Sequence, residues 1–82
     1  MAVGTIRYWA GARAAAGTPE EPYDGETLGG VLDTAAEAHG PALARVFTAA
    51  SFLVDGVRSG RDVALVDGAT IEVLPPFAGG SR

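Results

Sequence analysis

Cysteine and lysine are both absent from this chain, and a single histidine, His39, stands among its 82 residues. Without thiols there are no disulfide staples, thiolate nucleophiles, cysteine-bound metals or redox switches, and the redox compartment cannot be read. Without lysine the chain cannot receive an isopeptide link on its own side chains, although its end can still be attached to others. No apolar run approaches the roughly 20 residues that span a bilayer, and no charged N-terminal region leads into an apolar stretch of signal-peptide length. A cytoplasmic location with no membrane partner is the expectation.

Positive charge is also scarce. Six scattered arginines face ten acidic residues, a net charge of -4. No basic stripe exists to follow a phosphate backbone, which argues against nucleic acid. Mild acidity suits docking onto a partner with a basic rim, where long-range attraction speeds encounter more than it tightens binding.

The residues of a catalytic centre are missing as well. An enzyme would need a nucleophile with its base, a metal cluster or a cofactor cradle. His39 falls near the end of a predicted helix, where interaction with the dipole is its ordinary role. Metal binding with one histidine and no cysteine would require clustered carboxylates, and the pairs Glu20/Glu21 and Asp62/Asp67 lack the spacing of a ligating loop. There is no GxGxxG or P-loop pattern. No catalytic residue, no metal and no bound cofactor are therefore expected.

What is present is a folding pattern. With 48% hydrophobic and 20% charged residues the chain lies outside the disordered regime, and its length allows one small domain. Residues 3–9 (VGTIRYW) set Ile6 and Tyr8 on one face and Thr5, Arg7 and Trp9 on the other, a first strand. Residues 10–17 (AGARAAAG) support a short helical turn or a loop, and TPEEPYDG a short edge strand. Thr27 caps a helix whose apolar positions Leu28, Val31, Leu32, Ala35 and Ala36 form one stripe, stopped by Gly40 and Pro41. Gly29 and Gly30 in its first turn each cost about 1 kcal/mol against alanine, so packing must hold it. A helical turn at PALARVF precedes a strand at SFLVDGVR with its Asp55-Gly56 turn, a hairpin-like excursion from Arg58 to Val66, and a last strand, ATIEVLPP, ended by two prolines. The order is α+β, one main helix on one sheet.

The chain then closes with PPFAGGSR. Pro75 and Pro76 stiffen the exit from the sheet and project the remaining residues away from the body. Gly79 and Gly80 are slim enough to thread a narrow channel and leave a carboxyl unhindered. Phe77 supplies an aromatic anchor beside that end. Partner docking is expected on the open sheet face near the tail, where Trp9 or Phe52 could join Phe77; core positions are the alternative for both. The expected division is a domain over residues 1–76 and a flexible tail over 77–82.

These segments resemble the MoaD/ThiS family of ubiquitin-like sulfur carriers, and within it the small-subunit branch of molybdopterin synthase. YWAGARAAAG is similar to the family's opening, with Trp9, Ala10, Arg13 and Gly17 on the matching positions. VDGATIEVLPPFAGG is similar to its Asp-Gly turn, apolar strand and Pro-Pro-x-x-Gly-Gly ending. The resemblance implies a β-grasp (ubiquitin-like) fold, a mixed sheet of four to five strands crossed by one main helix. It implies that an E1-like adenylating enzyme, using ATP, activates Gly80, that sulfur replaces AMP as a thiocarboxylate, and that a synthase large subunit accepts it for molybdopterin. Gly79, Phe77, Pro76 and Pro75 would be the docking tail.

Two features depart from that pattern. The family ends at the second glycine, whereas this chain continues with Ser81 and Arg82, and an amide at Gly80 cannot be adenylated. Either a JAMM-type metallopeptidase removes the two residues, the preferred expectation, or the tail is inactive, or the two are not native. Asp55 stands where relatives often have Asn, and both serve such a turn. Alternative acceptors are thiamine, cysteine or specialised-metabolite pathways; a different class is a ubiquitin-like modifier or interaction module.

Overall fold

The alternation of residues 3–9 becomes an interior strand of a five-stranded sheet, next to its central one. The computed structural model describes residues 2–76, in the order β1 (Ala2–Tyr8), α1 (Ala10–Ala16), β2 (Glu20–Gly25), α2 (Leu28–His39), α3 (Pro41–Ala49), β3 (Ser51–Val54), β4 (Val57–Arg58) and β5 (Thr70–Leu74). The spatial order is β2-β1-β5-β3-β4. β1 and β5 run parallel at the centre, Ile6 opposite Ile71 and Tyr8 opposite Val73, and the other pairings are antiparallel. This mixed sheet with α2 across it is the expected β-grasp arrangement.

Ile6, Tyr8, Ile71 and Val73 point to the helical side and are almost fully buried, against Leu28, Val31 and Leu32 of α2 and Leu43 and Phe47 of α3. Fully burying an aliphatic side chain is worth about 1.5–3 kcal/mol, so this layer outweighs the two glycines that open α2. Gly29 also has a reason to be glycine: a Cβ there would lie 2.9 Å from the Arg61 carbonyl oxygen. That close approach satisfies the start of α2. Leu28 N–H donates to the Val63 carbonyl (3.0 Å), Gly29 N–H to the Arg61 carbonyl (2.7 Å) and Gly30 N–H to Thr27 Oγ1 (3.1 Å). Three donors that no helix satisfies internally thus find partners.

Two shorter helices accompany α2, in the segments where only a helical turn was expected. AGARAAAG forms a seven-residue helix ended by Gly17 at φ 78°, and PALARVF extends into the nine-residue α3. Each buries only two residues deeply, Ala12 with Ala16 and Leu43 with Phe47, so neither carries the long stripe that marks α2. The excursion after Arg58 is not a hairpin but an irregular segment bridged to the start of α2 through Thr27 and Ala64.

β2 is an edge strand, and Pro22 stands in it without cost. Tyr8 N–H donates to the Pro19 carbonyl, whereas Thr5 and Trp9 donate toward β5, to Ala69 and Val73. Alternation then turns the backbone groups of Glu21, Tyr23 and Gly25 toward β1 and those of Glu20, Pro22 and Asp24 outward. The missing N–H of Pro22 falls on the free side.

Candidate functional site

The last strand delivers the chain end to one corner of the sheet. β5 stops at Leu74, Pro75 is buried and Pro76 is exposed. Pro75 therefore belongs to the body rather than to the expected docking tail. Phe77, Gly79, Gly80, Ser81 and Arg82, and with them the proposed sulfur attachment point and the boundary at residue 77, lie outside the described residues.

Trp9 borders this exit. Its N–H donates to the Val73 carbonyl at 3.2 Å, which fixes it beside the end of β5, and it remains 38% exposed. The Arg7 guanidinium stands 5.1 Å from the centre of its ring, a cation–π contact, and Arg7 Nε lies 3.5 Å from Glu20 Oε1. The strand registers place Glu20, Arg7, Glu72, Leu53 and Arg58 in one row across the open face, with alternating charge on its first three positions.

Phe52 is not part of that face. It is buried against Phe47, ring centres 5.9 Å apart in an edge-to-face arrangement, so the core alternative holds for it and the docking expectation is corrected. Its pairing with Val73, itself fully buried, shows why: both point toward the helices.

His39 has a partner that sequence spacing did not reveal. Its Nε2 lies 2.6 Å from Glu21 Oε2, and the Tyr8 hydroxyl donates to the same oxygen at 2.6 Å. The cluster ties the end of α2 to β2 and β1. Burial first, then the hydrogen bond to Glu21 and its charge, hold the Tyr8 phenol well above the ordinary tyrosine range. Tyr23 is raised as well, by burial and then by Asp55 and Asp67, and its hydroxyl donates to the Ala69 carbonyl at 2.8 Å. Every member is accounted for by structure: among the described residues no buried side-chain polar atom lacks a partner, and no group of three or more His, Asp or Glu could hold a metal. No helix among them is long and apolar enough to cross a membrane.

Four matches to known proteins accompany this geometry. The model of the ThiS family matches residues 6–80. The solution structure of small archaeal modifier protein 1 from Methanosarcina acetivorans superposes with a TM-score of 0.86 at 31% identity, covering 98% of each chain. The crystal structure of small archaeal modifier protein 1 from Haloferax volcanii gives 0.83 at 26% identity, over 95% of this chain and 99% of that one. A molybdopterin converting factor subunit 1 from Pyrococcus furiosus, at 20% identity and a TM-score of 0.77, covering 93% of this chain and 99% of that one, shares the fold. No curated relative matches the sequence.

Proposed function

Since the chain belongs to the ThiS family of ubiquitin-like sulfur carriers, we propose that Gly80 carries sulfur as a thiocarboxylate and donates it in molybdopterin biosynthesis. The observation that carries this reading is the reach of the family match, which runs through the last strand and ends on the second glycine. In this reading the chain is a protein substrate, not a catalyst. An E1-like enzyme joins the Gly80 carboxylate to the α-phosphate of ATP with loss of pyrophosphate, and a sulfur nucleophile then displaces AMP. The thiocarboxylate sulfur bonds to a precursor held by a synthase large subunit, and water then cleaves the acyl C–S bond of the resulting thioester, which leaves sulfur on the precursor and a carboxylate on Gly80. The carrier contributes a rigid corner, an exposed Pro76 and a slim pair of glycines that admit the nucleophile.

In a chain that reads on into Ser81 and Arg82, this carboxyl is held in an amide until the bond is cut. A JAMM-type metallopeptidase is the proposed agent. The test is an intact mass of protein from its native cells, with and without a thiol-alkylating reagent. A species ending at Gly80, heavier than the free acid by the difference between sulfur and oxygen and reactive to the reagent, is expected. A chain that keeps Ser81 and Arg82 under all conditions sinks the proposal.

The likeness to proteins named as modifiers favours a second reading, in which Gly80 forms amides with partner lysines. A modifier with no lysine of its own cannot build lysine-linked chains on itself. Discrete conjugate bands on a denaturing gel would favour it.

A further inference from the structure

A second face meets the chain at its exit. On the helical side of Pro76, α1 and α3 leave an open groove walled by Ala14, Ala15, Val46 and Ala49, with Pro75 and Pro76 at one margin. Among the described residues, Arg45 is the only ionisable one lining it. In a chain of net charge -4 no acidic side chain borders this groove, and Arg45 is exposed and makes no ion pair among the described residues. We propose that the groove docks an apolar segment, bordered by a carboxylate, of the enzyme that takes the tail.

The proposal rests on the carrier reading above, because it requires that an enzyme work on Gly80. Gly80 lies four residues past Pro76, a reach of at most about 14 Å for extended chain. A catalytic centre that close to Pro76 must cover the corner from which the tail departs, and the groove opens at that corner. Its lining of alanine and valine brings a partner's apolar side chains near the helix backbones, and Arg45 supplies the one charge that sets orientation. The open sheet face flanking the exit differs: its central row mixes both signs. A carrier handed between two enzymes therefore has two chemically distinct surfaces to offer beside one tail.

The experiment uses the chain ending at Gly80, with the E1-like enzyme and the sulfur-accepting enzyme of the same cells as probes. Binding is followed by titration, and reaction by ATP–pyrophosphate exchange and by sulfur transfer. Arg45→Glu and Ala49→Glu are expected to raise the KM with at least one enzyme about tenfold at unchanged kcat, while Arg45→Lys keeps most of the affinity. Both changes fall on exposed positions, and circular dichroism with the unfolding midpoint shows whether the fold is kept. A wild-type chain that binds and reacts, with both Glu variants within twofold of it on both enzymes, overturns the groove proposal alone. A wild-type chain that binds neither enzyme overturns the carrier reading and this proposal together. If deleting residues 77–82 from the free protein shifts the Ala14 and Ala49 methyl resonances, the chain's own tail is the occupant and the proposal falls.

Discussion

Asp55 and Thr70 hold each other through two hydrogen bonds, Asp55 N–H to the Thr70 carbonyl and Thr70 N–H to Asp55 Oδ1, both 2.9 Å. The pair locks the turn after β3 onto the start of β5. Asp55 and Gly56 have φ of 49° and 81°, the left-handed pair that a two-residue hairpin loop needs. Asp55→Ala is expected to lower stability by about 1–3 kcal/mol, because it removes the acceptor and the tolerance of positive φ together. Asp55→Asn keeps both and should stay within about 0.5 kcal/mol. Urea unfolding measures the two, and an equal loss in both would show that the negative charge, not the geometry, matters.

Gly4 is the tightest glycine among the described residues. A Cβ there would sit 2.2 Å from the Ala69 carbonyl oxygen and 2.6 Å from the Tyr23 hydroxyl, two atoms already bonded to each other. Gly4→Ala is expected to cost more than about 3 kcal/mol or to prevent folding. At Gly11, where nothing lies within 4 Å, the same change should be neutral or stabilising by up to about 1 kcal/mol. Thermal unfolding by circular dichroism separates the two outcomes.

Alkali should unfold this protein through its tyrosines. Folding raises both the Tyr8 and Tyr23 phenols, so near pH 10 they ionise in the unfolded chain and stay protonated in the folded one. The unfolded state then binds fewer protons, and stability falls as pH rises, by up to about 1.4 kcal/mol per pH unit for each tyrosine. Below about pH 9 these two groups add no slope. Tyr8→Phe should reduce the alkaline slope. Tyrosinate absorbance rising well before unfolding would contradict the burial argument.

Trp9 and Phe52 should respond oppositely. Phe52→Ala is expected to cost about 3–5 kcal/mol with no specific effect on partners beyond that loss. Trp9→Ala should change stability by less than about 1 kcal/mol while weakening binding to the activating enzyme about tenfold. Denaturant titration and binding isotherms on the same two variants decide it; a Trp9→Ala protein that binds normally removes Trp9 from the docking surface.

Much of this was legible in the sequence because long periodic patterns speak for themselves. The α2 stripe, its Thr27 cap and the alternation of Ile71 and Val73 required no tertiary information. Phe52 was harder: SFLV is a short apolar run in which alternation cannot tell a buried face from a docking face. The Glu21–His39 contact joins residues eighteen positions apart through β2 and α2, and nothing local encodes it. The extents of α1 and α3 depended on their packing against each other and the sheet, which short Ala-rich segments do not announce.

The outward-facing Pro22 has a consequence for traffic. A free strand edge with a full set of hydrogen-bonding groups invites another chain to add to it, the first step of swapping and fibre growth. Here that edge presents one gap and two flanking carboxylates, Glu20 and Asp24. On the proposed carrier reading, such an edge lets the protein meet one partner after another without its sheets templating one another, and its handling is left to its faces and its end.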